Sequence, residues 1–224
     1  MARRGHEESG DRCGGATGVV LAGGRSTRFE DGDKALATVD GTPMLARVVA
    51  RLGAATDGVV VNCRDDQRPA FERALADVAV PVTFAIDDRP DEGPLAGLDT
   101  ALRAVSAPRA FVAACDMPLL DPALPDALLV TLDAAAGSPD AAVPVDDAGF
   151  ATPTCAAYRT DALAAAASDA LAAGTLRLRD ALDALDVRTV DPDELGASRH
   201  ALADANTRAE LDRLVAAART DDAE

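Results

Sequence analysis

The chain has 224 residues, a formal net charge of −16, no tryptophan and one tyrosine. That length suits one α/β domain with a core of small aliphatic side chains. The acidity argues against a nucleic-acid-binding surface, because neutralising phosphates needs basic patches. No apolar stretch is long enough to span a membrane and the N-terminus has no apolar signal core, so the expected location is the cytoplasm.

The even spread of acidic residues suits a salt-rich cytoplasm, where a Debye length of about 3 Å at molar salt screens the overall field. An ordinary acidic protein from a GC-rich genome is the alternative. The cysteines (Cys13, Cys63, Cys115, Cys155) form no C-x-x-C pair and read as reduced thiols. With only His6 and His200 as imidazoles, a His-rich metal centre or a Ser-His-Asp triad is not expected.

In chain order, residues 1–16 are polar and aperiodic and are expected to be a disordered leader. Residues 17–219 are expected to be a single domain and 220–224 a tail. Gly18–Ala22 reads as a buried parallel strand ending in Gly23-Gly24. After a long loop, Pro43 opens a helix to Leu52. Strands at Gly58–Asn62, Val82–Ile86 and Ala110–Cys115 alternate with helices at Gln67–Asp77 and Leu95–Val105. Helices are then expected at Leu124–Ala135, Ala162–Ala173, Leu176–Leu185 and Arg208–Ala218. Extended segments are expected at Ala141–Val145, Pro153–Tyr158 and Val187–Val190. The βαβα rhythm predicts a three-layer α/β/α fold around a mostly parallel, Rossmann-like sheet.

One segment reads as phosphate-handling. Gly23-Gly24, directly after a strand, lets backbone N–H groups approach a ligand closely, because glycine lacks a Cβ. Arg25, Arg28 and Lys34 follow within the same loop, and Lys34 is the only lysine in the chain. An ammonium is a compact, rotatable point charge, unlike the planar guanidinium used everywhere else. Neither a P-loop nor a dinucleotide G-x-G-x-x-G fingerprint is present. Asp116 stands at the end of a central strand, where open α/β sheets bind ligands. Gly93-Pro94-Leu95 starts a helix whose first amides suit an anion. Thr207 and Glu210 have the spacing of a capping box for the last helix.

The string Leu21-Ala22-Gly23-Gly24-x(3)-Arg28-x(5)-Lys34 resembles the nucleotide-binding loop of GT-A-like nucleotidyltransferases. Gly93-Pro94-Leu95-Ala96-Gly97, Cys115-Asp116-Met117-Pro118 and Asp204-Ala205-Asn206-Thr207 narrow the resemblance to molybdenum cofactor guanylyltransferases over residues 18–217. The resemblance implies transfer of GMP from GTP to molybdenum-bearing molybdopterin, forming Mo-molybdopterin guanine dinucleotide, with release of pyrophosphate and with Mg²⁺ as cofactor. Apo-molybdoenzymes or their chaperones would be the receiving partners.

It also implies roles. Lys34, Arg28 and Asp116 are the candidate catalytic residues, and Asp116 is the Mg²⁺ ligand. Leu21, Ala22, Gly23, Gly24 and Asn62 join Lys34 and Asp116 at the nucleotide. Asp87 corresponds to the base or ribose reader, although the Asp87-Asp88 pair and a shortened spacing to Gly93 leave either residue eligible. Gly93, Pro94, Arg177 and Asn206 are assigned to the acceptor. Asp204 replaces the family asparagine and is a second candidate metal ligand. CMP transfer, another phosphate acceptor and a non-catalytic nucleotide-binding module are the rival readings.

Overall fold

The computed structural model describes residues 15–26, 29, 32–89, 92–135, 137–146, 148–197 and 200–221. Arg28, most of the expected leader and residues 222–224 of the expected tail lie outside them. Among the described residues, seven strands form one sheet. In chain order the strands that build its first half are β1 (Ala16–Leu21), β4 (Gly58–Cys63), β5 (Val82–Ile86) and β6 (Arg109–Ala114). A two-stranded hairpin, β2 (Thr38–Val39) and β3 (Thr42–Pro43), stands apart. The second half holds β7 (Ala141–Pro144), β8 (Cys155–Arg159) and β9 (Val187–Val190). The spatial order is β5-β4-β1-β6-β8-β7-β9, all parallel except β8.

The strands alternate in the way a sheet covered on both faces requires. Val20, Val59, Val61, Phe111 and Ala113 face one core, against α1 (Met44–Gly53), α2 (Arg68–Ala74) and α4 (Leu124–Ala134). Val19, Val60, Ala110 and Val112 face the other, against α3 (Pro94–Leu102), α5 (Thr160–Ala172) and α6 (Leu178–Leu182). A third cluster joins the hairpin to α7 (Arg208–Asp221) through Phe29, Val39, Met44 and Leu211. Cys63, Cys115 and Cys155 are free and buried. Among the described residues no helix is long and apolar enough to cross a membrane.

Several boundaries differ from the expectation, each for a local reason. Ala16 is already in β1, paired with Arg109, and α7 runs on to Asp221. Pro43 does not occupy the first helical position. It pairs with Thr38 and caps α1 from outside, because Asp40 and Gly41, both at positive φ, make the tight hairpin turn that Asp-Gly favours. The helix expected at Leu176–Leu185 is only α6, Leu178–Leu182. Gly174 at φ 80° and the Thr175 hydroxyl, donating to the Ala170 carbonyl, end α5, and the chain stays extended through Arg177.

The connection from β1 runs to β4 on one side, while β6 lies on its other side. That divergence opens a crevice at the carboxyl ends of β1 and β6, the place where open sheets take ligands.

Candidate active site

A cleft of about 400 Å³ lies at that crevice. Leu21, Gly23, Gly24, Lys34, Asn62, Asp87, Gly93, Pro94 and Asp116 all line it, together with Arg25, Ala114, Cys115 and Thr154. Residues up to 133 positions apart in sequence, Leu21 and Thr154, therefore meet at one mouth.

Its floor is an ion pair. Lys34 Nζ lies 2.5 Å from Asp116 Oδ2 and also donates to Asn206 Oδ1 at 3.3 Å. Lys34 sits in a short 3-10 turn, Lys34–Leu36, capped by the Asp33 carboxylate, which accepts from the Ala35 amide. Asp116, 6% exposed, follows β6 in the turn toward Pro118. Burial alone would lower the Lys34 pKa, but the Asp116 carboxylate, with Asp204 further out, outweighs it and leaves the ammonium above its usual value of 10.5. Lys34 thus stays charged across the whole neutral range.

The late segment closes this floor. The Asp116 carbonyl accepts from the Ala205 amide at 2.9 Å. Asn206 donates through Nδ2 to Asp204 at 2.8 Å, so Asp204 orients the amide that reaches Lys34. The capping box forms reciprocally: the Thr207 hydroxyl accepts from the Glu210 amide, and Glu210 accepts from the amides of Asn206 and Thr207. Asp204 itself is exposed.

The walls are set by close approach. Asn62, 2% exposed, donates through Nδ2 to the Ala85 carbonyl at 3.3 Å. Its Oδ1 is wedged between two glycines. A Cβ on Gly23 would stand 3.1 Å from it, and one on Gly97 would collide with it. Gly23 also faces Asp87, whose Oδ2 would lie 2.7 Å from that Cβ. The two aspartates are thereby distinguished: Asp87 lines the cleft, whereas Asp88 turns outward to Arg103 at 2.9 Å. Gly93 caps α3 at φ 88°, and Gly93 and Pro94, at the start of that helix, line the cleft edge.

A family model described as a MobA-like NTP transferase domain matches residues 18–189. The chain belongs to that family. A protein of Natronomonas pharaonis named "Probable molybdenum cofactor guanylyltransferase" is 43% identical over 182 residues, covering 81% of this chain and 87% of its own. One with the same name from Haloferax mediterranei is 40% identical, over 82% and 84% of the two chains. Among solved structures, molybdopterin-guanine dinucleotide biosynthesis protein A from Archaeoglobus fulgidus superposes with a TM-score of 0.70 at 24% identity, over 91% of this chain and 99% of that one. A cytidylyltransferase from Thermus thermophilus, at a TM-score of 0.64 and 20% identity over 90% and 98%, has the same fold. The fold alone is therefore shared by enzymes of different base preference.

Not every expected residue of this nucleotidyltransferase joins the cleft. Ala22 lies beneath it, its amide bonded to the Asn62 carbonyl. Arg177 is exposed and outside the cleft lining, although the neighbouring Leu176 carbonyl packs against Gly93. Arg179 instead stacks over the exposed Phe150 ring at 5.7 Å.

Sequence reasoning missed Arg64, Gln67, Ser26 and Asp33. Arg64 Nη1 donates to the carbonyls of Gly23 and Gly24 at 2.7 and 2.8 Å. Gln67, 5% exposed, donates to the Ala22 and Gly24 carbonyls and to Asp33 Oδ2. The available signal was positional: both residues follow the strand adjacent to β1, on the same sheet edge as its loop.

Proposed function

We propose that the protein transfers GMP from GTP to the terminal phosphate of molybdopterin, forming the guanine dinucleotide cofactor and releasing pyrophosphate. The observation that carries this reading is the Lys34–Asp116 pair at the floor of a cleft lined by Gly23, Gly24, Asn62 and Asp87. The names of the relatives supply the acceptor.

An oxygen of the acceptor phosphate forms a bond to the α-phosphorus of GTP as the bond to the bridging oxygen of pyrophosphate breaks. A phosphate monoester is already ionised at neutral pH, so the site needs no strong general base, in keeping with a described cleft lining that contains no histidine. Catalysis then rests on alignment and charge stabilisation. Lys34, held charged by its pairing, stabilises the negative charge growing on the leaving group. The amides of the Gly23-Gly24 loop cradle the phosphates. Asp87 offers a carboxylate to the N1–H and N2–H donors of guanine, a match cytosine does not provide.

A magnesium ion fits the donor set. Asp116 is one deeply set carboxylate at the edge of the cleft, and among the described residues no cluster of three or more carboxylate, thiolate or imidazole groups forms a protein-only metal cage. Magnesium characteristically takes one or two carboxylates and completes its shell with water and substrate phosphate oxygens. Asp116 would hold it, and the bound ion would supply charge neutralisation at the phosphates. Asp204, exposed and bonded to Asn206, acts here as an orienting group for Asn206.

The acidic chain suits a cytoplasm rich in salt, and Gly93, Pro94 and Arg177 flank the acceptor side of the cleft. The test is pyrophosphate release in about molar KCl with Mg²⁺ and molybdopterin, comparing GTP, CTP and ATP. Acceptor-dependent release with GTP alone is the expected result. Release with CTP overturns the base assignment, and silence with all three on folded protein overturns the reaction.

A further inference from the structure

Three successive carbonyls of the glycine loop, those of Ala22, Gly23 and Gly24, are all drawn to the same side by Arg64 and Gln67. In a trans peptide the carbonyl of one residue and the N–H of the next point in opposite directions, and the described residues contain no cis bond. The amides of Gly23, Gly24 and Arg25 therefore point away from Arg64 and Gln67. Gly23, Gly24 and Arg25 line the cleft, so that direction is toward the ligand. Successive amides converging in this way form an anion-binding concavity.

The same glutamine also spans the loop. Its Nε2 lies 2.6 Å from Asp33 Oδ2, while Asp33 Oδ1 accepts from Ser26 Oγ and from the Ala35 amide. Ser26 Oγ in turn accepts from the Lys34 amide at 3.1 Å. Gln67 is itself fixed, its Oε1 accepting from the Arg64 amide at 2.9 Å. One buried side chain thus ties the amide cradle to the turn that carries Lys34.

We propose that Arg64 and Gln67 are positioning residues for the transferred nucleotide: they turn three loop amides into the cleft as a preformed phosphate cradle and, through Asp33, hold Lys34 in register with it. Neither side chain lines the cleft. Their effect passes through the loop they hold. The inference rests on the guanylyl-transfer reading for its ligand, a nucleoside triphosphate, but its core is the recognition of a polyphosphate.

The test separates phosphate from base and acceptor. Inorganic pyrophosphate and guanosine are titrated calorimetrically, in about molar KCl with Mg²⁺, against wild type, Gln67→Met and Arg64→Lys. In Gln67→Met the affinity for pyrophosphate falls at least about tenfold and the KM for GTP rises in step, while guanosine affinity and acceptor KM stay within about twofold. Arg64→Lys, which loses the second anchor that Arg64 Nε makes to Asp66 while Nη1 bonds both carbonyls, shows a smaller loss of the same kind. A merely structural role would lower the melting temperature without separating pyrophosphate from guanosine. Pyrophosphate affinity within about twofold of wild type in the folded variants overturns the proposal. Should Gln67→Met fail to fold, Arg64→Lys decides alone. Wild-type protein that binds pyrophosphate yet transfers no guanylyl group overturns the reaction and leaves the positioning role standing.

Discussion

The two flanks of the cleft are built differently. On the β4–β1–β6 flank, Asn62, Gln67 and Asp116 are all buried, and each bonds to backbone or to another site residue. On the β8–β7–β9 flank, Arg177, Leu176 and Phe150 are exposed. Arg179, beside them, is held by one cation–π contact and a 3.5 Å contact to the Ala151 carbonyl. The first flank has spent its conformational freedom at folding, so its groups need not be ordered again when the nucleotide arrives. On the proposed reading, the second leaves that ordering to the acceptor. Substitutions on the first flank should change the rate, and those on the second should change mainly the acceptor's KM.

The largest expected effect comes from Asp116→Asn, which keeps the shape and removes the charge. Single-turnover pyrophosphate release by the folded variant should slow by at least about a hundredfold, and the melting temperature should fall because Lys34 loses its paired charge. A rate near that of the wild type would break the comparison at its strongest point.

Lys34→Arg should be nearly as damaging, again about a hundredfold, although the charge is retained. A planar fork cannot take the ammonium's place between Asp116 and Asn206. Rescue by arginine would show that charge alone suffices. The ordinary enzyme should also show no basic limb from Lys34 in its rate profile below about pH 10.5, because its pKa is raised. The sign for stability agrees: the pairing contributes fully below the unfolded pKa and is lost only as pH rises through the higher folded one. Melting temperatures between pH 6 and 9 should therefore carry no Lys34 component.

Gly97→Ala tests the wall rather than the floor. The added methyl displaces Asn62 from its place beside Gly23. Overpacking of this sort costs about 1–3 kcal/mol, or roughly 2–4 °C per kcal/mol for a chain of this size. The KM for GTP should rise while that for the acceptor holds.

Arg177→Ala should be the mildest. An exposed charge contact is worth about 0–1 kcal/mol, so the acceptor KM should rise by at most about fivefold with kcat unchanged. A large fall in kcat would mean that the second flank is as preorganised as the first.

The sequence made the first flank's chemistry legible and left its support hidden. Lys34 and Asp116 stood out because a solitary lysine and a strand-terminal aspartate are unusual residues in telling places. The parallel strands stood out because Val59-Val60-Val61 and its counterparts must bury both faces. Arg64 and Gln67 gave no such signal, since side chains that bond to backbone carbonyls impose no periodicity and require no partner of a particular type. The Asp40-Gly41 hairpin was readable in principle from its turn chemistry, but Pro43 looked like a helix start. Arg177 fell on an apparent helix because the pattern after Gly174 is helical, while the Thr175 back-bond that delays the helix is visible only in three dimensions.

The contact between Lys34 and Asn206 bridges 172 positions of sequence. A chain emerging from the ribosome can assemble β1, β4, β5 and β6 long before residue 206 exists, and it would then hold a Lys34–Asp116 pair without its third member. Loop closures of such span form late in folding. Turnover by this protein is therefore an assay of completeness: a product that stops short of Asn206 can carry the central strands and the Lys34–Asp116 pair yet lack the amide that completes the contact.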